Sequence, residues 1–125
     1  MYLNDNVREI LEGNIWSVAT FGDTVNVVPI HYKHVTEDGN LVVVDNFLRK
    51  TKENVLKTGV AAVSAFKPGV AGYQVKGKAT YITEGELFEK CAAMFDIDVK
   101  GIVYITADEI YYTTPGPNAG LAVEE

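Results

Sequence analysis

Segments rich in β-branched and aromatic residues recur along most of the chain and predict β-strands, and Tyr73–Ile82 alternates apolar and polar positions, as is typical of a strand with one buried face. Pro29 lies inside one such segment, and because proline cannot donate to a sheet ladder, it predicts an edge position or interrupted pairing there. Turn dipeptides such as Asp38-Gly39 and Pro68-Gly69 separate neighbouring segments. We expect six or seven short strands, drawn from Ile15–Phe21, Val25–Val35, Leu41–Asp45, Val60–Phe66, Tyr73–Ile82, Ile102–Thr106 and Ile110–Thr114. They predict a mainly antiparallel barrel.

Two short segments carry apolar residues at helical spacing and have recognisable ends. The first helix is predicted to be capped by Asn4 or Asp5 and to stop at Gly13 in a left-handed conformation. The second is predicted to have Thr51 as its N-cap and Gly59 as its stop. Both are short, so they are expected to depend on packing against the barrel.

A third helix is predicted after the sequence Thr83-Glu84-Gly85-Glu86, which has the form of a capping box. Its apolar positions run from Leu87 to Phe95. The chain carries no internal repeat, and a Pro/Gly-rich segment predicts an irregular tail from about residue 115. Residues 1–125 are therefore expected to form a single domain with three short helices.

Cations are concentrated at the start of the second helix. Three of the eleven Lys and Arg residues, Arg49, Lys50 and Lys52, surround Thr51. A helix N-terminus carries about half a positive charge, so each cation there costs up to ~1 kcal/mol. A bound phosphate would remove the conflict, because free N–H groups, a hydroxyl and cationic side chains all favour one anion. The alternative is a set of solvated surface side chains, and these features alone leave both open.

Other candidate sites have simpler explanations. The segment Gly72–Ala79 nearly matches a phosphate-binding P-loop, but Ala79 stands where a magnesium-binding hydroxyl is required, and the segment alternates like a strand. His31 and His34 lie three apart on a predicted strand and so face opposite sides, which argues against a shared metal. Cys91 lies among apolar helix positions and is predicted to be a buried structural thiol.

No combination of nucleophile, base and orienting partner is recognisable, so no catalytic residue is assigned. The carboxylates that could have formed an acid–base pair are instead predicted to lie on the surface, namely Asp45, Glu53, Asp96 and Asp98. A function that needs no side-chain nucleophile is therefore favoured.

Composition narrows the function classes further. Eleven basic and seventeen acidic residues give a net charge of −6, which disfavours nucleic acid as a partner. The single cysteine cannot form an intrachain disulfide. Apolar runs such as Leu41–Val44 are far shorter than the ~18 residues of a membrane span, and no signal segment is recognisable, so we expect a cytoplasmic protein that does not bind membranes.

The order of these elements resembles the pyridoxamine 5'-phosphate oxidase-like, FMN-binding split barrels, and most closely their short single-domain members. The resemblance covers about Val7 to Thr114. Its most specific parts are Lys50-Thr51-x-x-Asn54-Val55 and Val28-Pro29-Ile30-His31. It implies a mainly β fold: a six- to seven-stranded antiparallel split β-barrel with three short helices.

The resemblance also implies FMN as the cofactor. Residues Arg49 to Lys52 would bind its phosphate, Val28 to His31 would run beside the isoalloxazine, and Asp45 and Asn46 would approach the ribityl chain or the pyrimidine end of the ring. The implied cofactor-binding residues are Val28, Pro29, Ile30, His31, Asp45, Asn46, Arg49, Lys50, Thr51 and Lys52. Some relatives bind haem or a deazaflavin instead, and both remain alternatives. The family generally forms homodimers with the flavin at the subunit interface, so a second subunit would complete each site.

The expected function is redox chemistry by a bound flavin, as a small NAD(P)H-linked flavin reductase or oxidase. The cofactor would supply the reactivity, which agrees with the missing side-chain nucleophile. Small molecules or proteins would then donate or accept electrons. The alternatives are a non-enzymatic FMN electron-transfer or flavin-storage protein, and a barrel without a cofactor that serves as an interaction module.

Overall fold

The structure is a computed structural model, and it describes residues 3–124. Within this range eight strands form one curled antiparallel sheet in the order β2-β1-β5-β6-β7-β4-β3, with β8 paired to β6. The strands are β1 Trp16–Phe21, β2 Val25–Ile30, β3 Lys33–Val35, β4 Leu41–Asp45, β5 Val60–Lys67, β6 Ala71–Ile82, β7 Gly101–Ile105 and β8 Glu109–Tyr112. The helices of the same range are α1 Asp5–Gly13, α2 Lys50–Thr58 and α3 Glu86–Ala92. The predicted antiparallel split barrel with three short helices is confirmed.

The second predicted strand is divided in two. Its residues form β2 and β3, and His31 and Tyr32 connect them. The prediction that His31 and His34 share one strand was therefore wrong, because only His34 lies in a strand. β2 is an edge strand, as Pro29 predicted. Pro29 still pairs with Ser17 of β1, so the sheet continues through it.

The long strand β6 joins the two halves of the split barrel. Its first part pairs with β5 and β8, whereas its last residues pair with β7. The chain crosses from β7 to β8 beside Gly77, where a Cβ atom would overlap the carbonyl oxygen of Thr106. Glycine is required at this point because another backbone passes against the strand. The near-match to a P-loop thus lies in a strand, as its alternation predicted.

The interior of the curled sheet is closed by α1. Its face formed by Val7, Ile10 and Leu11 is buried and packs against β3, β5 and β6. Trp16 at the start of β1 is fully buried, and its indole N–H donates to the carbonyl of Leu11 at 2.7 Å. Burial of each such side chain contributes about 1.5–3 kcal/mol, so this contact anchors the helix to the sheet.

The caps of the helices differ from the sequence predictions in part. Asn4 caps α1 as predicted, with its Oδ1 accepting from the N–H of Val7 at 2.9 Å. Gly13, however, lies inside the helix, and the C-cap Asn14 is extended rather than left-handed. For α2 the left-handed stop at Gly59 is confirmed, with φ 68°.

The third helix is shorter than predicted and has a different start. The N-cap of α3 is Gly85, with φ 100° and no side-chain cap, so the predicted capping box at Thr83 was wrong. The helix ends at Ala92, and Phe95 lies outside it. Cys91 is buried against Val42 and Ile102, as expected of a structural thiol, and burial raises the pKa of its side chain.

The tail beyond β8 returns along that strand. The N–H groups of Tyr112 and Val123 donate to the carbonyls of Leu121 and Ile110, respectively, at 3.0 and 2.8 Å. These bonds hold the tail against its own chain. Among residues 3–124, no helix is long and apolar enough to cross a bilayer.

Candidate functional site

The loop between β4 and α2 begins with a buried carboxylate. Asp45 is only 3% exposed, so its prediction as a surface carboxylate was wrong, whereas Glu53, Asp96 and Asp98 are exposed as predicted. Oδ1 of Asp45 accepts from the backbone N–H of Leu48 at 2.8 Å. Side-chain acceptors of this kind satisfy a backbone donor and fix the turn that follows.

The first turn of α2 presents backbone donors with no partner. The helix begins at Lys50 with Arg49 as its N-cap, and no side chain caps it. Thr51 is therefore not the cap that the sequence predicted. The first paired amide is that of Glu53, which donates to the carbonyl of Arg49 at 3.1 Å, whereas the N–H groups of Lys50, Thr51 and Lys52 have no acceptor within residues 3–124. These groups create the positive end of the helix dipole.

Cationic side chains surround these donors without being neutralised. Arg49 and Lys50 are exposed, and Lys52 is partly buried. Within residues 3–124 the salt bridges are those of Arg8 and Lys57, so none involves this cluster. In a chain with a net charge of −6, this helix start is a locally positive site that remains available to an anion.

Thr51 connects the helix to the edge strand β2. It is 2% exposed, and its Oγ1 accepts from Nδ2 of Asn26 at 3.3 Å. One turn further along α2, Nδ2 of Asn54 donates to Oγ1 of Thr20 at 3.1 Å. Both bonds fasten the helix to the β1–β2 hairpin. Asn54 is part of the motif Lys50-Thr51-x-x-Asn54-Val55, whereas no sequence pattern indicated a role for Asn26.

The structure brings the two predicted cofactor-binding segments together. Val28, Pro29 and Ile30 continue along β2 from Asn26, and exposed His31 follows them. Beyond His31, the carbonyl of Tyr32 accepts from the N–H of Val44 at 3.1 Å, next to Asp45. The segment at residues 28–31 thus spans the space between the start of α2 and the end of β4.

A tyrosine that sequence reasoning missed lies beside this loop. The hydroxyl of Tyr81, on β6, donates to Oδ2 of Asp45. Nζ of Lys52 lies 4.8 Å from the centroid of its ring. Burial is the main cause that raises the pKa of Tyr81, and the hydrogen bond to Asp45 and the carboxylate charge add to it. Only its place in the alternation of β6 could have pointed to an inward tyrosine.

The outer face of the sheet is apolar and exposed. On paired positions of β1 and β2, Phe21, Val25 and Val27 are 47%, 87% and 65% exposed. A groove of about 500 Å³ begins here and extends across β5 to Lys76 and Lys78 of β6. None of the predicted cofactor-binding residues lines it. A surface of this character is typical of a protein–protein interface.

Within residues 3–124, no three His, Cys, Asp or Glu side chains lie close enough together to hold a metal ion. The arrangement at the start of α2 can instead bind an anionic group through backbone N–H donors and cations.

Comparison with known proteins identifies the fold and the family. No protein-family model matches the chain. HupZ of Group A Streptococcus superposes with a TM-score of 0.83 at 22% identity, over 94% of this chain and 99% of that one. A putative pyridoxamine 5'-phosphate oxidase of Lactobacillus delbrueckii gives 0.80 at 17% identity, over 88% and 93% of the two chains.

Proteins with different named ligands share this fold. An FMN-binding protein of Syntrophomonas wolfei has a TM-score of 0.72 at 17% identity, covering 88% of this chain and 85% of that one. A heme binding protein of Mycobacterium smegmatis has a TM-score of 0.69 at 16% identity, covering 88% of this chain and 53% of that one. The fold is therefore that of the pyridoxamine 5'-phosphate oxidase-like split barrels.

A sequence relative completes the assignment. The protein MJ0282 of Methanocaldococcus jannaschii is 36% identical over 127 residues, which cover 94% of this chain and 85% of that protein. The chain belongs to the same family as this archaeal protein.

Proposed function

We propose that the protein is an FMN-binding flavoprotein that acts in redox chemistry and holds the FMN phosphate at the start of α2. The observation that carries the proposal is the cluster of unpaired N–H groups and unneutralised cations at Arg49, Lys50 and Lys52. A phosphate dianion accepts several hydrogen bonds and compensates the helix dipole, so it fits this donor set. The acidic charge of the rest of the chain favours one local phosphate over a polyanion.

The remaining predicted residues would orient the other parts of the cofactor. Backbone groups of Val28 to His31 would contact the polar edge of the ring, and Asn46 would face the ribityl chain. Asp45 would act through the loop, because both of its carboxylate oxygens already accept hydrogen bonds. When bound, FMN supplies reversible transfer of electrons or hydride, and the chain would hold its phosphate, fix its ring and restrict water.

The apolar outer face supports a homodimer as the working form. A second copy would cover Phe21, Val25 and Val27, whose exposure is otherwise unfavourable in water. Because β2 carries both this face and the residues proposed to line the flavin ring, the partner subunit would also close the flavin site.

The reaction is proposed to be that of a small NAD(P)H-linked reductase or oxidase in the cytoplasm. The alternative is an FMN electron-transfer or storage protein without a substrate of its own. Consumption of NADH or NADPH with repeated turnover of a soluble acceptor would support the enzyme. A bound flavin that is reduced by a protein partner and not by NAD(P)H would support the carrier.

The binding test compares FMN with riboflavin, which lacks the phosphate. Quenching of flavin fluorescence gives both dissociation constants on the same purified protein. We expect FMN to bind at least about 100-fold more tightly, because two or more charge-assisted hydrogen bonds at about 1.5 kcal/mol each act on the phosphate. Equal affinities would contradict the proposed phosphate site. Selective uptake of haem, with its intense Soret absorption, would favour the haem alternative.

A further inference from the structure

Asp45 and Tyr81 form a partly buried hydrogen bond that the proposed function leaves unexplained. Asp45 lies at the end of β4 and is almost fully buried, and the hydroxyl of Tyr81 donates to its Oδ2. The other carboxylate oxygen of Asp45, Oδ1, accepts from the N–H of Leu48, which lies one residue before the N-cap of α2. The carboxylate therefore links β6 to the loop that begins the phosphate site.

A glycine on the neighbouring strand leaves room for the ring of Tyr81. Gly101 of β7 pairs with Asp45, and a Cβ atom at Gly101 would overlap the ring and hydroxyl of Tyr81. Next to it, the N–H of Lys100 donates to the carbonyl of Asp45 at 2.9 Å, and Nζ of Lys100 lies 4.8 Å from the ring centroid of Phe47. Three strands thus converge on the loop at residues 46–48.

Tyr81 also contacts the proposed phosphate site through its ring. Nζ of Lys52, a member of the cationic cluster, lies 4.8 Å from the centroid of its ring. At this distance the cation is attracted by the negative face of the ring. One side chain therefore contacts both the acceptor that fixes the loop and a cation of the first helical turn.

We propose that Tyr81 is a positioning residue for the FMN phosphate, fixing the Leu48 turn through Asp45 and placing Lys52 through its ring. The inference rests on the proposed function. A tyrosine hydroxyl is protonated at neutral pH, and burial raises the pKa of Tyr81 further, so it remains a donor to the carboxylate in a binding experiment at neutral pH.

The test replaces Tyr81 with phenylalanine and uses Tyr104→Phe as the matched control. Tyr104 lies on β7, and its hydroxyl also bonds to a side chain. It accepts from Nδ2 of Asn40 at 2.7 Å, away from the loop between β4 and α2. We expect Tyr81→Phe to weaken FMN binding about 3- to 10-fold, the effect of one net hydrogen bond, and to leave riboflavin binding unchanged. The control should change neither affinity.

Hydrogen exchange of the Leu48 amide supplies a readout that needs no flavin. Tyr81→Phe and Gly101→Ala should both accelerate this exchange, because each loosens the carboxylate that accepts from Leu48, whereas Tyr104→Phe should not. Unchanged exchange, or an FMN affinity equal to that of the control, would overturn the inference and leave the proposed function intact. A wild-type protein that binds FMN no better than riboflavin would contradict the proposed function and this inference with it.

Discussion

Removal of one cation from the start of α2 should weaken binding of FMN but not of riboflavin, because only FMN carries the phosphate that the cation would contact. In Lys50→Ala and Arg49→Ala, the phosphate loses one charge-assisted contact, which is worth about 1.5–3 kcal/mol. Both side chains are exposed, so solvent screening places the effect at the lower end. We expect a loss of about 1.5 kcal/mol, or about tenfold in Kd. Neither residue has a salt-bridge partner within residues 3–124, and both lie at a helix N-terminus that disfavours cations, so the free energy of unfolding without ligand should not fall and should rise by up to ~1 kcal/mol.

The assay is fluorescence titration with FMN and with riboflavin, and Lys90→Ala is the control. Lys90 is an exposed lysine on α3, outside the proposed site. The loss should appear for FMN only and should shrink as ionic strength rises toward about 1 M, where the Debye length falls to about 3 Å. An unchanged FMN affinity in both variants, or an equal loss for riboflavin, would refute the placement of the phosphate.

Three further predictions concern the assembly and the fold. Val27→Asp places a carboxylate in the proposed apolar interface, so sedimentation velocity should show a monomer where the wild-type protein is a dimer; a dimeric variant would contradict that interface. Asn4→Ala removes the cap on the N–H of Val7 and should cost about 1 kcal/mol in urea unfolding, and an unchanged midpoint would show that the cap contributes nothing. Burial raises the pKa of Cys91, so thiol reagents should modify it only after unfolding; rapid modification of the native protein would contradict its placement.

Local sequence patterns were sufficient for most strands and for the end of α2. Segments rich in β-branched and aromatic residues identify strands, whether one face is buried as in β1 or both faces as in β4. Gly59 marks a left-handed stop that depends only on its own backbone. The starts of helices were less predictable. Thr51 has the chemistry of an N-cap, but it is buried against Asn26 of a distant strand, and the N-cap is Arg49, two residues earlier.

The candidate site was predictable as a set of cations but not as a geometry. Arg49, Lys50 and Lys52 are adjacent in sequence, and their conflict with the helix dipole can be recognised there. The burial of Asp45 depends on Tyr81, which lies 36 residues further along the chain, and on the glycine that admits its ring. Contacts of this separation leave no local pattern, so the carboxylate was predicted to be on the surface.

We expect one FMN to bind per chain, and the flavin content of the purified protein tests this directly. We expect a flavin absorption spectrum, either as purified or after incubation with FMN and removal of the excess. Denaturation should then release FMN in an amount close to one per chain, identified by mass spectrometry. A protein that remains colourless after incubation with excess FMN would contradict the proposed binding of FMN.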